Sequence, residues 1–240
     1  MLFRSQQIRN AIAADAELGH YLGASAQIVL TPLVMDFDRN IVDLDQMPYD
    51  ELAENQFQRL QQAISACQQH LSGRADQEIP LCVFPFMGFA LNKLNNGDPQ
   101  NQLERFQRWW SQNGMTSADR KKPWAVLPAK ALGIKLYPAL GFQPYPENPR
   151  EWPKYLEFYQ WCVEHDIPIT THCQSVSYSP EAPGAGHQNS KPEYWAKVLR
   201  TEGLANLRIN FAHFGGGGSF AKDRLFKHDQ IQTENATYRS

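Results

Sequence analysis

Two histidines and a lysine stand at positions in this chain where apolar runs end or pass. His172 closes the run Ile167-Pro168-Ile169-Thr170-Thr171, and His213 closes Leu207-Arg208-Ile209-Asn210-Phe211-Ala212. Lys135 sits inside Leu132-Gly133-Ile134-Lys135-Leu136-Tyr137-Pro138, which is otherwise apolar. Short apolar runs of this kind read as strands of a parallel sheet buried on both faces. Parallel strands joined by helices bring their carboxyl ends to one rim, where the three side chains can converge. Neutral imidazoles suit zinc, and an imidazole or amine near a bound water can move its proton. The chemistry to expect is metal-assisted or general-base.

The elements that must position these residues alternate regularly. Residues 5–18 place Ile8, Ala11, Ile12 and Leu18 at near-helical spacing, and residues 27–34 form an apolar, β-branched run. After Pro48 a long amphipathic helix is expected, with Leu52, Gln56 or Phe57, Leu60, Ile64, Cys67 and Leu71 inward and Gly73 as its stop. Residues 79–86 read as a strand and 99–112 as a helix with Leu103, Phe106 and Trp110 inward. A strand follows over 130–137.

Asn148-Pro149-Arg150-Glu151 has the form of a capping box with proline at the first helical position. The buried stripe of that helix is Trp152, Leu156, Tyr159 and Val163. A second capping box, Ser190-Lys191-Pro192-Glu193, opens a helix with Trp195, Val198 and Leu199 inward. The five tryptophans Trp109, Trp110, Trp152, Trp161 and Trp195 fall within helical patterns, where helix-sheet packing is their simplest use. Five strands alternating with helices, without a break in composition, predict one α/β domain with a parallel sheet and right-handed crossovers.

Composition limits the partners. With 240 residues, 42% of them hydrophobic, the chain can bury a substantial core. A formal charge of -2 gives no electrostatic basis for nucleic acid or an anionic membrane, so a small molecule is the expected partner. No apolar run approaches the ~20 residues that span a bilayer, and no signal pattern follows Met1. Cys67, Cys82, Cys162 and Cys173 form no Cys-x-x-Cys pair. Reduced thiols and a cytoplasmic location follow as expectations.

Three segments appear together in a fixed order: Gly133-Ile134-Lys135-Leu136-Tyr137-Pro138, the run from Pro168 to His172, and Asn210-Phe211-Ala212-His213-Phe214-Gly215-Gly216. They resemble the fourth, fifth and sixth strand motifs of the amidohydrolase superfamily, most closely its amidohydrolase-related (amidohydrolase 2) branch. Thr31-Pro32-Leu33-Val34-Met35-Asp36-Phe37-Asp38 is similar to the second strand of such proteins. The resemblance spans roughly residues 5–218 and implies a TIM-type (β/α) barrel, here strands two to six of eight, followed by a polar segment over 219–240. It implies a divalent metal, zinc by preference, activating water against an amide, ester or lactone carbonyl. The same branch contains decarboxylases of small aromatic acids.

By this resemblance His172 matches the fifth-strand metal ligand. His213 matches the sixth-strand histidine, which binds a second metal or handles the proton of the activated water. Lys135 matches a position where binuclear relatives carry a carboxylated, metal-bridging lysine. The family's His-x-His pair is absent: the histidines are His20, His70, His165, His172, His187, His213 and His228. No eighth strand with its aspartate follows residue 218. A truncated, non-catalytic barrel remnant or interaction module is therefore the rival expectation.

Other residues compete for roles around this centre. Asp36 and Asp38 share one side of a strand by alternation, but the resemblance places them on the second strand, which implies lining the substrate pocket or capping a loop ahead of metal ligation. The segment from Cys173 to Asn189 lacks periodicity and is long for a connection, which makes Tyr178 and His187 candidate substrate contacts. Gly215 to Gly218 lacks the spacing of a phosphate loop. Cys173 follows His172 directly, so alternation sends the two to opposite faces and disfavours a dyad.

Overall fold

The computed structural model describes residues 28–34, 51–72, 81–95, 99–121, 130–173 and 188–213. Six strands occur among them: β1 (Ile28–Leu30), β2 (Leu81–Val83), β3 (Phe86–Gly88), β4 (Gly133–Leu136), β5 (Ile169–His172) and β6 (Ile209–Ala212). The helices are α1 (Glu51–Ser72), α2 (Pro99–Asn113), α3 (Ser117–Lys121), α4 (Trp152–Glu164) and α5 (Pro192–Arg200). Every strand pair is parallel, and the order is β1-β2 and β3-β4-β5-β6. The chain is thus a mixed α/β protein with a parallel sheet.

The strand expected over 79–86 is divided, and Pro85 is the reason. Phe84 and Phe86 donate to Leu30 O and Pro32 O at 2.8 and 2.9 Å, and Val34 donates to Phe86 O at 2.8 Å. These bonds carry the pairing of the 28–34 run past the end of β2. On the other edge Pro85 accepts from Leu132 N–H at 2.8 Å but has no N–H to return. Regular pairing with β4 therefore starts only at Phe86, which faces Gly133.

Gly133 is needed at this crossing. A Cβ there would strike the Phe86 ring and the Pro168 carbonyl oxygen. The absence of a side chain lets three neighbouring strands approach at the foot of β4.

One face of the sheet is apolar and covered by helices. Ile134, Leu136 and Ile169 are fully buried there with Phe57, Leu103, Phe158 and Trp195 in one core. In α1, Ala53, Phe57, Leu60 and Ile64 form the inward stripe at helical spacing. In α2, Leu103, Phe106 and Trp110 face inward as expected, and Phe106 sits between Phe89 and Trp109 at 4.4 and 5.9 Å. Each such aromatic contributes about 2–3 kcal/mol by leaving water.

Two helix starts differ from the sequence expectation. Asn148 organises a turn, not the cap: its Oδ1 accepts from Arg150 N–H at 3.1 Å and its Nδ2 donates to Glu151 at 3.1 Å. The helix begins at Trp152, with Glu151 as a cap residue whose carboxylate accepts from the Asn95 and Asn148 side chains and not from a helix N–H. Its face is also rotated. Tyr155, Phe158, Tyr159, Trp161 and Cys162 are the buried set, while Trp152, Leu156 and Val163 are half-buried. At α5 the cap residue is Lys191, and Ser190 is buried with no partner for its hydroxyl among the described residues.

Opposite the rim, the α4–β5 turn is tied to the start of β6. Asp166 has a left-handed φ of 53°, and both its carboxylate oxygens accept from Arg208 Nη1 at 3.0 and 3.1 Å. No described helix is long and apolar enough to cross a membrane. Cys162 and Cys173 are buried free thiols.

Candidate functional site

Register places the polar residues of the sheet on one face. Lys135 pairs with Gly88 and Thr170, and Thr170 pairs with Asn210, so the three polar side chains form a row across β4, β5 and β6. Side chains two residues on share that face. Tyr137, just beyond β4, and His172, the last residue of β5, therefore rise above the row toward the carboxyl ends.

The rings and the lysine come together there. Lys135 Nζ lies 5.5 Å from the centre of the Tyr137 ring, and that ring is 4.4 Å from His172. The His172 and His213 rings are 4.8 Å apart and nearly perpendicular, at 68°. Strand alternation alone does not bring His213 to this position, because the register partner of His172 is Ala212. His213 leaves the strand with a left-handed φ of 62°, and its ring lies beside His172.

Burial sets the electrostatics. His172 is 4% exposed and its Nε2 has no hydrogen-bond partner among the described residues. Desolvation, then the Lys135 charge, then His213 push its pKa down to about 4. The imidazole is neutral at ordinary pH, with a nitrogen lone pair to offer. Lys135 is 3% exposed, and desolvation lowers its ammonium to about 8. His213 is exposed.

A cavity of about 540 Å³ lies on the same face of the sheet. Its walls include Thr31 and Leu33 from the first run, Phe86, Thr170, and Arg208, Asn210 and Ala212 from the last. It reaches the polar row from below but is not lined by His172 or Lys135. Residues of the first run and of β6 thus border one space.

Of the residues singled out in the sequence, the structure brings His172, His213 and Lys135 to one end of the sheet. Asp36, Asp38, Tyr178 and His187 lie outside the described residues, as do Gly215 to Gly218 and residues 219–240. Cys173 does not join the site: it is buried, its Sγ bonds to Ser190 O at 3.6 Å, and its pKa is raised to about 11, with desolvation the main cause. Tyr137, Thr170 and Asn210 were not singled out, although period-two spacing from Lys135 and His172 marks Tyr137 and Thr170.

The site suits a metal in part. Two adjacent imidazoles, one with a buried unpartnered nitrogen, are suitable donors, whereas catalytic zinc usually takes three protein ligands. No group of three His, Cys, Asp or Glu side chains arranged for a metal occurs among the described residues. Comparison with family models, curated proteins and solved structures returns no match.

Proposed function

We propose that this chain is a metal-dependent hydrolase of the amidohydrolase-related type, built on strands two to six of a (β/α) barrel. The observation that carries the reading is the pair His172 and His213, 4.8 Å apart at the carboxyl end of adjacent parallel strands.

His172 and its surroundings would hold a divalent cation, zinc being best suited to imidazole, which would supply Lewis acidity toward a carbonyl and lower the pKa of water toward neutrality. His172 serves it as a neutral ligand through Nε2, the nitrogen left without a partner. Burial favours this role, since it keeps the proton off the ring. His213, exposed at the mouth, accepts and returns a proton at its ring nitrogen. Lys135 adds a positive charge near His172 and helps to hold that ring neutral. The substrate is a small molecule with an amide, ester or lactone carbonyl.

The test is ester and lactone hydrolysis by the chain with and without added zinc. Low, zinc-dependent turnover is expected, abolished by His172→Ala and reduced about 100-fold by His213→Ala, as for a lost proton-transfer group. Turnover indifferent to zinc and to both substitutions would contradict the reading.

A further inference from the structure

Lys135 is a buried cation whose surroundings are unusual for a structural lysine. Burial is the cause of its lowered pKa, and none of the ion pairs found among the described residues includes it. A buried ammonium without a counterion is costly, so structural lysines in cores are nearly always paired. Beside it in the sheet row stands the Thr170 hydroxyl, and beyond that the Asn210 amide. Asn210 Nδ2 donates to Thr170 Oγ1 at 3.5 Å, which leaves the Thr170 hydroxyl hydrogen free to donate elsewhere. Thr170 and Asn210 also line the cavity, so the row borders space that a ligand can enter. Above it, the Tyr137 and His172 rings pack against each other, 4.4 Å apart and tilted by 31°.

We propose that Lys135, Thr170 and Asn210 form a subsite that holds a carboxylate group of the substrate. The carboxylate supplies the counterion that the ammonium lacks, and the Thr170 hydroxyl and Asn210 amide supply hydrogen bonds. Adjacent parallel strands are about 4.8 Å apart, which puts donors from neighbouring strands within reach of the two oxygens of one carboxylate. A phosphate dianion would demand more donors and charge than this row offers. The inference rests on the hydrolase reading in one respect only, that the reacting end of the substrate points toward His172.

The test is calorimetric titration of the metal-free chain, in chelator, with benzoate and with neutral benzamide. Benzoate is expected to bind one per chain and benzamide about tenfold more weakly or worse, the difference set by the charge-assisted bonds. Lys135→Met should weaken benzoate about tenfold or more, Lys135→Arg should retain measurable binding, and Thr170→Val should cost about threefold to tenfold. Circular dichroism and melting curves check that each variant is folded.

Equal affinity for benzamide, or undiminished binding to folded Lys135→Met, would overturn the subsite. So would benzoate binding that appears only when zinc is added, or inorganic phosphate binding in preference to benzoate. Benzoate binding in a chain that takes up no zinc would uphold the subsite while removing the metal reading.

Discussion

His213 packs against His172 at 4.8 Å from a position one residue beyond the partner of His172 in the sheet. Continued alternation would send it to the helix-covered face, and the left-handed φ of 62° accompanies its placement beside the other imidazole instead. A residue with a Cβ is disfavoured in that conformation by about 1–2 kcal/mol. His213→Gly is therefore expected to be more stable than His213→Ala by about 1 kcal/mol, measured by urea denaturation. Equal stabilities would mean that the backbone at 213 is not held in this form.

Lys135 should be a burden on stability. Its ammonium sits at about 8 in the folded chain against 10.5 when free. The folded state thus resists the charged form, and the penalty is fully present below about 8 and fades as pH rises toward 10.5. Lys135→Met is expected to stabilise the chain by about 1–3 kcal/mol at pH 7, with the gain shrinking above pH 8. Denaturation at a series of pH values measures it, and a destabilised Met variant at pH 7 would contradict the burial argument.

His172 gives the opposite edge of the pH profile. Its folded pKa of about 4 lies below the free value of 6.5, so the unfolded chain binds the extra proton first. The contribution is complete above 6.5 and is lost as pH falls from there toward 4. His172→Gln should flatten that part of the acid stability curve. NMR titration of the ring should show no protonation near pH 6.

Gly133→Ala is expected to cost about 2–3 kcal/mol, because the added methyl meets the Phe86 ring and the Pro168 carbonyl. The loss should appear in the denaturation midpoint. An unchanged midpoint would show that the three strands can separate at this point.

Period-two and period-3.6 patterns made much of the fold legible in the sequence. The strand segments ending at Leu136, His172 and Ala212 and the inward faces of α2 and α5 lie close to where the hydrophobic repeats place them. The break at Pro85 was less legible, since it depends on which edge the missing N–H faces. The capping boxes misled because Asn148 and Ser190 have the right residue types but meet other demands: a turn ahead of α4, and burial ahead of α5. The rotated face of α4 arose because nearly every position there is apolar or aromatic, which blurs the repeat. At the site, His172 and Lys135 were visible as polar residues in apolar runs. Approach of His213 through a left-handed backbone was not, because nothing in its residue type encodes that turn.

Zinc titration followed through the ring signals of both histidines by NMR asks whether His172 holds a metal ion with His213 directly beside it. The account predicts that both rings respond together at one equivalent, with the weak affinity of an incomplete ligand set, at micromolar or higher concentration on the order of 10 μM. His172→Ala should abolish the response at His213. Zinc binding that shifts neither ring, or that persists unchanged at His213 in the His172→Ala chain, would contradict it.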